Sequence, residues 1–107
     1  MKQGDIIMVQ FNPVSGHEQG NYRPALVVNR DDILLPGHLA IVIPITTKAK
    51  GYPLELPLPD GLNTHGYALP FHVRTLDLSS RKAKLVEHAP DDFVRRCCSF
   101  IAQLIEK

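Results

Sequence analysis

The chain has 107 residues, enough for a single domain spanning 1–107, with 44% hydrophobic and 21% charged residues. Twelve basic and eleven acidic side chains leave a formal net charge of +1, which excludes a polycation that binds DNA over its whole surface. The apolar run near the start is interrupted at Gln10 and is far too short to span a membrane, so we expect a cytoplasmic protein.

The first half of the chain is typical of a β-sheet, because short apolar segments alternate with Gly, Pro, Asn and Asp. The first predicted strand places Ile7, Val9 and Phe11 on one face, and a loop over 12–22 follows it. Residues 39–45 are nearly all apolar and β-branched, which predicts a strand covered on both faces. The three strands predicted in this half are 5–11, 24–29 and 39–45.

The second half predicts shorter strands and a helix. Residues 52–58 alternate leucine with Glu55 and Pro57, which indicates a half-exposed edge strand. Two further strands are predicted at 66–72 and 84–87.

From Pro90 onward the apolar period changes to steps of three and four residues, which predicts an amphipathic C-terminal helix. Pro90 suits the first helical position, and Asp91 and Asp92 suit the positive end of the helix dipole. The apolar face comprises Val94, Cys97, Cys98, Ile101, Leu104 and Ile105. Short strands plus one helix favour a mainly β, small SH3-like barrel with a C-terminal helix, although an open sheet covered by a helix fits the pattern equally.

The two cysteines, Cys97 and Cys98, are neighbours, too close for an unstrained disulfide. We interpret them as buried thiols on the helix, with a redox role as the minor alternative. No two of the five histidines are three or four residues apart, and no carboxylate cluster has ligand spacing, so we expect no metal.

Three polar segments carry the residue types that chemistry needs. The first, 16–24, holds His17, Glu18 and Arg23; the second, 44–52, holds Thr46, Thr47, Lys48, Lys50 and Tyr52; the third, 72–77, holds Arg74 and Asp77. Each residue also has a structural explanation. An Arg beside a carboxylate is commonly a surface ion pair, a threonine commonly ends a strand, and a loop histidine is commonly hydrogen-bonded.

Taken together and in order, these segments resemble the MazF/PemK (Kid) family of toxins. The similar stretches are Gly4-Asp5-Ile6, Pro13, Gly16-His17-Glu18-Gln19, Tyr22-Arg23-Pro24-Ala25-Leu26-Val27-Val28, Pro44-Ile45-Thr46-Thr47, Lys50-Gly51-Tyr52-Pro53 and Val73-Arg74-Thr75-Leu76-Asp77. The resemblance implies an SH3-like barrel, usually a homodimer, that cleaves single-stranded RNA without a metal or cofactor. It also implies a partner, an antitoxin whose acidic disordered tail covers the same groove.

The resemblance assigns roles to six residues in an attack of the ribose 2′-hydroxyl on the adjacent phosphate. Arg23 stabilises the phosphate and doubles as an acid, Thr46 donates a hydrogen bond, and Glu18 is a base or orients Arg23. The Kid branch of the family has a histidine, an arginine and an aspartate in its site, and His17, Arg74 and Asp77 match them. Asp77 would be the base, Arg74 an acid or a phosphate-binding group, and His17 a hydrogen-bond stabiliser. Glu18 and Asp77 therefore remain alternative bases.

The implied RNA groove is basic, with aromatic rings for stacking. Thr47, Lys48 and Lys50 are expected to contact the RNA, and Tyr22 or Tyr52 to stack on bases. Arg81 and Lys82 could extend the groove, but an ordinary solvated basic turn explains them at least as well.

Two departures from the family limit what the resemblance implies. The chain has no tryptophan, and 59–65 differs from the family pattern, so a recognition sequence cannot be carried over. The alternatives are a non-catalytic toxin of the CcdB type that binds DNA gyrase, a peptide-binding SH3-like adaptor, and a relative that has lost its activity.

Overall fold

The computed structural model describes residues 1–12 and 21–107. In this part the chain forms a mainly β domain with a C-terminal helix, as predicted. The strands are β1 Asp5–Gln10, β2 Tyr22–Val27, β3 Leu39–Thr46, β4 Leu56–Pro57, β5 Tyr67–Ala68, β6 Arg74–Asp77 and β7 Lys84–His88; 3₁₀ turns lie at Pro70–His72 and Leu78–Ser80, and α1 is Asp91–Ile105.

The strands form one antiparallel sheet in the order β4-β5-β3-β2-β1-β7, with β6 also paired to β3. One edge of β3 pairs with β2, and the other edge is shared, its first half by β6 and its last two residues by β5. Sharing an edge requires the chain to leave the sheet between β5 and β6. The turn Pro70–His72 makes this excursion, with Pro70 at its start.

The sheet is barrel-like, but among the described residues no ladder joins its edge strands β4 and β7. A side chain connects them instead. The Glu87 carboxylate on β7 accepts hydrogen bonds from the backbone N–H groups of Asn63 and Thr64, at 3.0 and 2.8 Å, and from the Thr64 hydroxyl at 2.7 Å. The loop between β4 and β5 is thereby attached to the opposite edge of the sheet.

Both faces of the central strands are covered, as predicted for β3. Ile43 and Ile45 enter a first cluster beneath the helix, whereas Ala40 and Val42 enter a second cluster on the other face. The first cluster comprises Ile6, Leu26, Val28, Ile43, Ile45, Leu56, Ala68, Ala89, Phe93, Val94 and Cys97. The second comprises Ile7, Val9, Phe11, Ala25, Val27, Ala40, Val42 and Leu76, which confirms the predicted face of β1.

Helix α1 begins at Asp91, and its first turn contains the two aspartates, as predicted. Pro90 is the N-cap residue, one position before the first helical residue predicted for it. Its buried residues are Phe93, Val94 and Cys97, and Cys98 and Ile101 pack beside them. Leu104 and Ile105, expected on the same apolar face, are 47% and 74% exposed because the last turn extends beyond the first cluster. Within residues 1–12 and 21–107, no helix combines the length and apolarity that crossing a bilayer requires.

The two cysteines are free thiols, with Cys97 buried and Cys98 half-buried. Burial, aided by the adjacent Cys98, raises the pKa of Cys97 to about 12, and burial also raises the pKa of Cys98. Both therefore stay protonated at neutral pH, as expected of structural rather than reactive cysteines.

Two predicted segments differ from the structure, and one strand was not predicted. Of 52–58, only Leu56–Pro57 is a strand, because the preceding turn is held by the Glu55 carboxylate. Of 66–72, only Tyr67–Ala68 is a strand, because the chain turns at Pro70. Strand β6 was not predicted, since its only buried residue is Leu76.

Candidate active site

A cleft of about 210 Å³ opens where β2 begins and β3 ends. Arg23, Thr46 and Arg74, from three strands far apart in the sequence, all line it. The complete lining in the described residues is Phe11, Asn12, Asn21, Arg23, Pro44, Ile45, Thr46, Leu69, His72 and Arg74. Arg23 of the first segment and Thr46 of the second therefore share one cleft.

The convergence follows from strand geometry. Side chains two residues apart on a strand share a face. Arg23, Thr46 and Arg74 each lie two or four residues along their strands from a member of the second cluster. Those members are Ala25, Val42 and Leu76. The three polar side chains thus continue the face of the second cluster past the end of its apolar part.

The described part of the cleft is positively charged. Two guanidinium groups line it together with a histidine, and no carboxylate of the described residues does. The Arg74 guanidinium carbon lies 5.5 Å from the centroid of the Phe11 ring, a cation–π contact that holds the side chain at the cleft. Such a cleft suits a phosphate, because the planar guanidinium fork matches phosphate oxygens.

Thr46 presents a hydroxyl whose hydrogen is available to a ligand. Its Oγ1 accepts a hydrogen bond from the backbone N–H of Lys48 at 3.1 Å, which leaves the O–H to donate elsewhere. Gly66 packs directly behind it with φ +125°, and a Cβ there would come within 2.2 Å of the Thr46 carbonyl oxygen. Only glycine fits this approach, so the β4–β5 loop sets the position of Thr46.

The second motif continues away from the cleft. None of Thr47, Lys48, Lys50 and Tyr52 lines it. The backbone N–H groups of Lys50 and Tyr52 donate to the Glu55 carboxylate, each at 3.0 Å, which forms a compact turn beside the cleft.

An aromatic row leads from this turn back to the cleft. The rings of Tyr52 and Phe71 meet edge to face with centroids 6.4 Å apart, and the rings of Phe71 and His72 are 4.7 Å apart. His72 itself lines the cleft.

Asp77 is not brought together with Arg23, Thr46 and Arg74. It lies three residues after Arg74 on β6, so its side chain projects from the other face of the strand. Its carboxylate accepts hydrogen bonds from the Ser79 N–H at 3.0 Å and the Ser79 hydroxyl at 2.7 Å, and these bonds, the hydroxyl foremost, lower the pKa of Asp77. In the structure Asp77 caps a 3₁₀ turn.

Tyr22 and Arg81 are also outside the cleft. The Tyr22 hydroxyl donates to the Lys82 carbonyl at 3.1 Å. The Arg81 guanidinium donates to the carbonyls of Gln10, at 3.0 Å, and Phe11, so it anchors the end of β1. The structural explanation of this basic turn therefore fits Arg81.

His17 and Glu18 lie outside the described residues, as does the rest of 13–20. The described residues on either side of this segment, Asn12 and Asn21, both line the cleft. In 1–12 and 21–107, no three His, Cys, Asp or Glu side chains come together as a metal site would require.

Sequence reasoning did not assign His72, which the structure places beside Arg74 in the cleft. A strand over 66–72 was predicted, and such a strand would have placed His72 within the sheet, away from the cleft. Pro70, which cannot donate to a ladder, was the available signal that the chain turns there.

A profile of the family described as "PemK-like, MazF-like toxin of type II toxin-antitoxin system" matches residues 2–105. The chain belongs to this family. The family resemblance of the three motifs is thereby confirmed over nearly the whole length.

Members of the family with curated names are moderately similar. The chain is 35% identical over 111 residues to the endoribonuclease toxin ChpB of Escherichia coli K12, covering 98% of this chain and 94% of ChpB. It is 36% identical over 80 residues to the endoribonuclease toxin MazF of the same strain, covering 75% of this chain and 71% of MazF.

Solved structures of the family share the fold. A MazE-MazF crystal structure from Deinococcus radiodurans superposes with a TM-score of 0.85 at 36% identity, covering 98% of this chain and 95% of that one. An endoribonuclease from a mycobacterial species has a TM-score of 0.75 at 12% identity over 96% and 88% of the two chains, a likeness of fold alone.

Proposed function

We propose that this chain is the toxin of a toxin–antitoxin pair and a metal-independent, sequence-specific endoribonuclease of single-stranded RNA. It attacks the phosphate with the ribose 2′-hydroxyl and leaves a 2′,3′-cyclic phosphate and a 5′-hydroxyl. The observation that carries the proposal is the meeting of Arg23, Thr46 and Arg74 in one positive cleft. The endoribonuclease names of ChpB and MazF support it. Messenger RNA in the cytoplasm is the proposed substrate.

The cleft offers what this reaction needs at the phosphate. Negative charge builds on the two non-bridging oxygens as the 2′-oxygen attacks, and fixed donors aimed at those oxygens lower the barrier. Arg23 and Arg74 supply charged forks, and the Thr46 hydroxyl can donate a further hydrogen bond. No cofactor is needed.

We assign the general base to Glu18 and a hydrogen-bonding role to His17. Support for Glu18 comes from Asn12 and Asn21, which flank its segment in the sequence and line the cleft. Asp77, the other candidate, has its carboxylate occupied by Ser79 on the opposite face of β6.

The RNA extends from the cleft along the turn after β3. Tyr52 is exposed and packs on Phe71, so a base can stack on this aromatic row while Lys48, Lys50 and Thr47 contact the backbone. Binding should therefore weaken as salt is added.

The partners are a cognate antitoxin and a second copy of the chain. The antitoxin proposal is supported by the MazE-MazF complex from Deinococcus radiodurans, and an acidic disordered tail would complement the positive cleft. A homodimer is supported by apolar side chains left exposed on this small domain, among them Ile33, Leu34 and Ile105.

The test is to incubate the purified protein with a defined RNA in excess chelator and to map the ends of the products. We expect cleavage that survives chelation, leaving cyclic phosphate and 5′-hydroxyl ends. Arg23→Ala should lower kcat by about 10²–10³-fold, the usual cost of one transition-state donor. Arg95→Ala, which removes an exposed guanidinium on α1, is the matched control and should cleave normally. Intact RNA accompanied by growth arrest would favour the gyrase-binding alternative.

A further inference from the structure

A proton donor for the leaving group is the one chemical function that the described, assigned residues do not supply well. When the bond from phosphorus to the 5′-oxygen breaks, that oxygen needs a proton. Arg23 and Arg74 hold guanidinium groups that stay charged throughout the physiological range, and a threonine hydroxyl is a weak acid. Among the described cleft residues, His72 alone carries a side chain of the type that changes its protonation between pH 5 and 8.

We propose, on the basis of the nuclease function proposed above, that His72 is the general acid that protonates the departing 5′-oxygen. Its imidazole lies in the same cleft as the phosphate-binding residues Arg23 and Arg74 and the hydroxyl of Thr46. A phosphate bound in this cleft would therefore lie beside an imidazole, the side chain that enzymes use most often for proton transfer.

The backbone holds His72 in place from both sides. The His72 N–H donates to the Leu69 carbonyl at 3.0 Å, and the Val73 N–H donates to the buried Pro70 at 3.2 Å. The imidazole packs against Phe71, with ring centroids 4.7 Å apart. A proton donor has to be positioned before the substrate arrives, and this turn positions it.

The charged side chains around His72 are those that would bind the phosphate. Arg23 from β2 and Arg74 from β6 are the charged side chains of the described cleft, and Phe11 and Asn12 after β1 are neutral. The Tyr52 ring packs on Phe71, which in turn packs on His72. A bound phosphodiester would offset the positive charge of the two guanidinium groups beside the imidazole.

The reaction balances with His72 in this role. The 2′-hydroxyl loses its proton to the base as the bond from the 2′-oxygen to phosphorus forms. The bond from phosphorus to the 5′-oxygen breaks, its electron pair stays on the oxygen, and the His72 imidazolium donates its proton there. The products are the cyclic phosphate and the 5′-hydroxyl; the base then loses a proton to water and His72 gains one.

The test compares two RNAs of the same sequence, one natural and one with sulfur replacing the bridging 5′-oxygen at the cleavage site. A thiolate leaves without being protonated, so a general acid matters only for the natural substrate. For the natural RNA, His72→Gln should lower kcat by about 10²-fold, as expected for lost acid catalysis. For the sulfur RNA, it should lower kcat by less than about threefold, because no acid is needed. The wild-type rate on natural RNA should fall at alkaline pH, and that fall should disappear in the variant.

The controls separate this role from others. The ratio of the two rates within one variant is independent of the folded fraction, and His72→Asn should give the same ratio. His65→Gln, at an exposed histidine outside the cleft, should match the wild type, and Arg23→Ala should slow both substrates. Equal slowing of both RNAs by His72→Gln, a change in KM alone, or no change would overturn the proposal. A wild-type protein that cuts neither RNA would instead overturn the nuclease function itself.

Discussion

Arg74 and Asp77 are only three residues apart, yet they do different things in the structure. Arg74 reaches over the Phe11 ring into the cleft, whereas Asp77 accepts two hydrogen bonds from Ser79 and caps a 3₁₀ turn. The cause is the alternation of side chains along β6, which sends residues separated by an odd number to opposite faces. Two residues whose types match a motif therefore need not share a site. Whether an even or an odd number of positions separates them on the strand is the better guide.

Asp77→Asn tests this division of roles. Because the Asp77 side chain lies away from the cleft, we expect RNA cleavage within about threefold of wild type, since a rate falls tenfold only for each 1.4 kcal/mol of lost transition-state stabilisation. Arg74→Ala should reduce kcat at least about 10²-fold, the scale of a lost phosphate donor. Single-turnover cleavage of one RNA by both variants is the measurement. A severe loss in Asp77→Asn with an unchanged thermal midpoint would restore Asp77 as the base.

At the scale of single elements, the position of Thr46 in the cleft depends on the β4–β5 loop, although no residue of that loop lines the cleft. The β4–β5 loop passes behind the end of β3, and Gly66 touches the Thr46 carbonyl at a distance that excludes any Cβ. The two ends of this loop are joined, because the Leu58 N–H donates to the Gly66 carbonyl at 2.9 Å. Thr46 is thus positioned by packing as well as by its own strand.

Gly66→Ala should damage both stability and catalysis. The new methyl group collides with backbone, so β5 or the end of β3 must shift and Thr46 moves, and a misplacement of about 1 Å can cost about 10²-fold in rate. Gly61→Ala is the matched control, because Gly61 also has positive φ, +94°, but has no atom within 4 Å of the added Cβ. We expect the control to lose about 1 kcal/mol of stability and no kcat. Urea unfolding and single-turnover cleavage measure the two effects; equal kcat losses in both variants would contradict the packing argument.

At the scale of the whole molecule, a side chain connects the two edges of the sheet, which no ladder joins among the described residues. Glu87 joins β7 to the β4–β5 loop through three hydrogen bonds, so the two edges of the sheet are held together at one carboxylate. Desolvation raises the pKa of Glu87, but the hydrogen bonds from Asn63 and Thr64 outweigh it and leave the pKa lowered. The ionised carboxylate is therefore part of the closed fold.

This closure predicts an acid-sensitive stability. Because the folded-state pKa of Glu87 is lowered, its contribution is present above the unfolded-state pKa and is lost as pH falls through the folded-state value. Glu87→Gln should cost about 1 kcal/mol at pH 7, because solvent screens part of the roughly 1.5–3 kcal/mol that hydrogen bonds to a charged group contribute. The difference from wild type should shrink toward pH 3, and urea unfolding at several pH values measures it. A difference that is constant with pH would mean that ionisation of Glu87 does not matter.

Local patterns predicted much of this fold, because periodicity reports how a segment meets the core. The alternation on β1 and the doubly buried β3 were predicted correctly, and the start of α1, at Asp91, was predicted to within one residue. The short elements were not, since two-residue strands such as β5 leave no periodicity to detect. The family motifs located Arg23 and Thr46, but no motif pointed to His72.

The sequence by itself determined the class of the fold, the family and the chemical types available to the site. It did so because these depend on the order and spacing of residues along the chain. Only the tertiary structure decided which polar side chains share the cleft. Arg23, Thr46 and Arg74 meet because the register of β2, β3 and β6 aligns their faces, and His72 joins them because the chain turns at Pro70. Register and turns are relations between distant segments, and no local pattern encodes them.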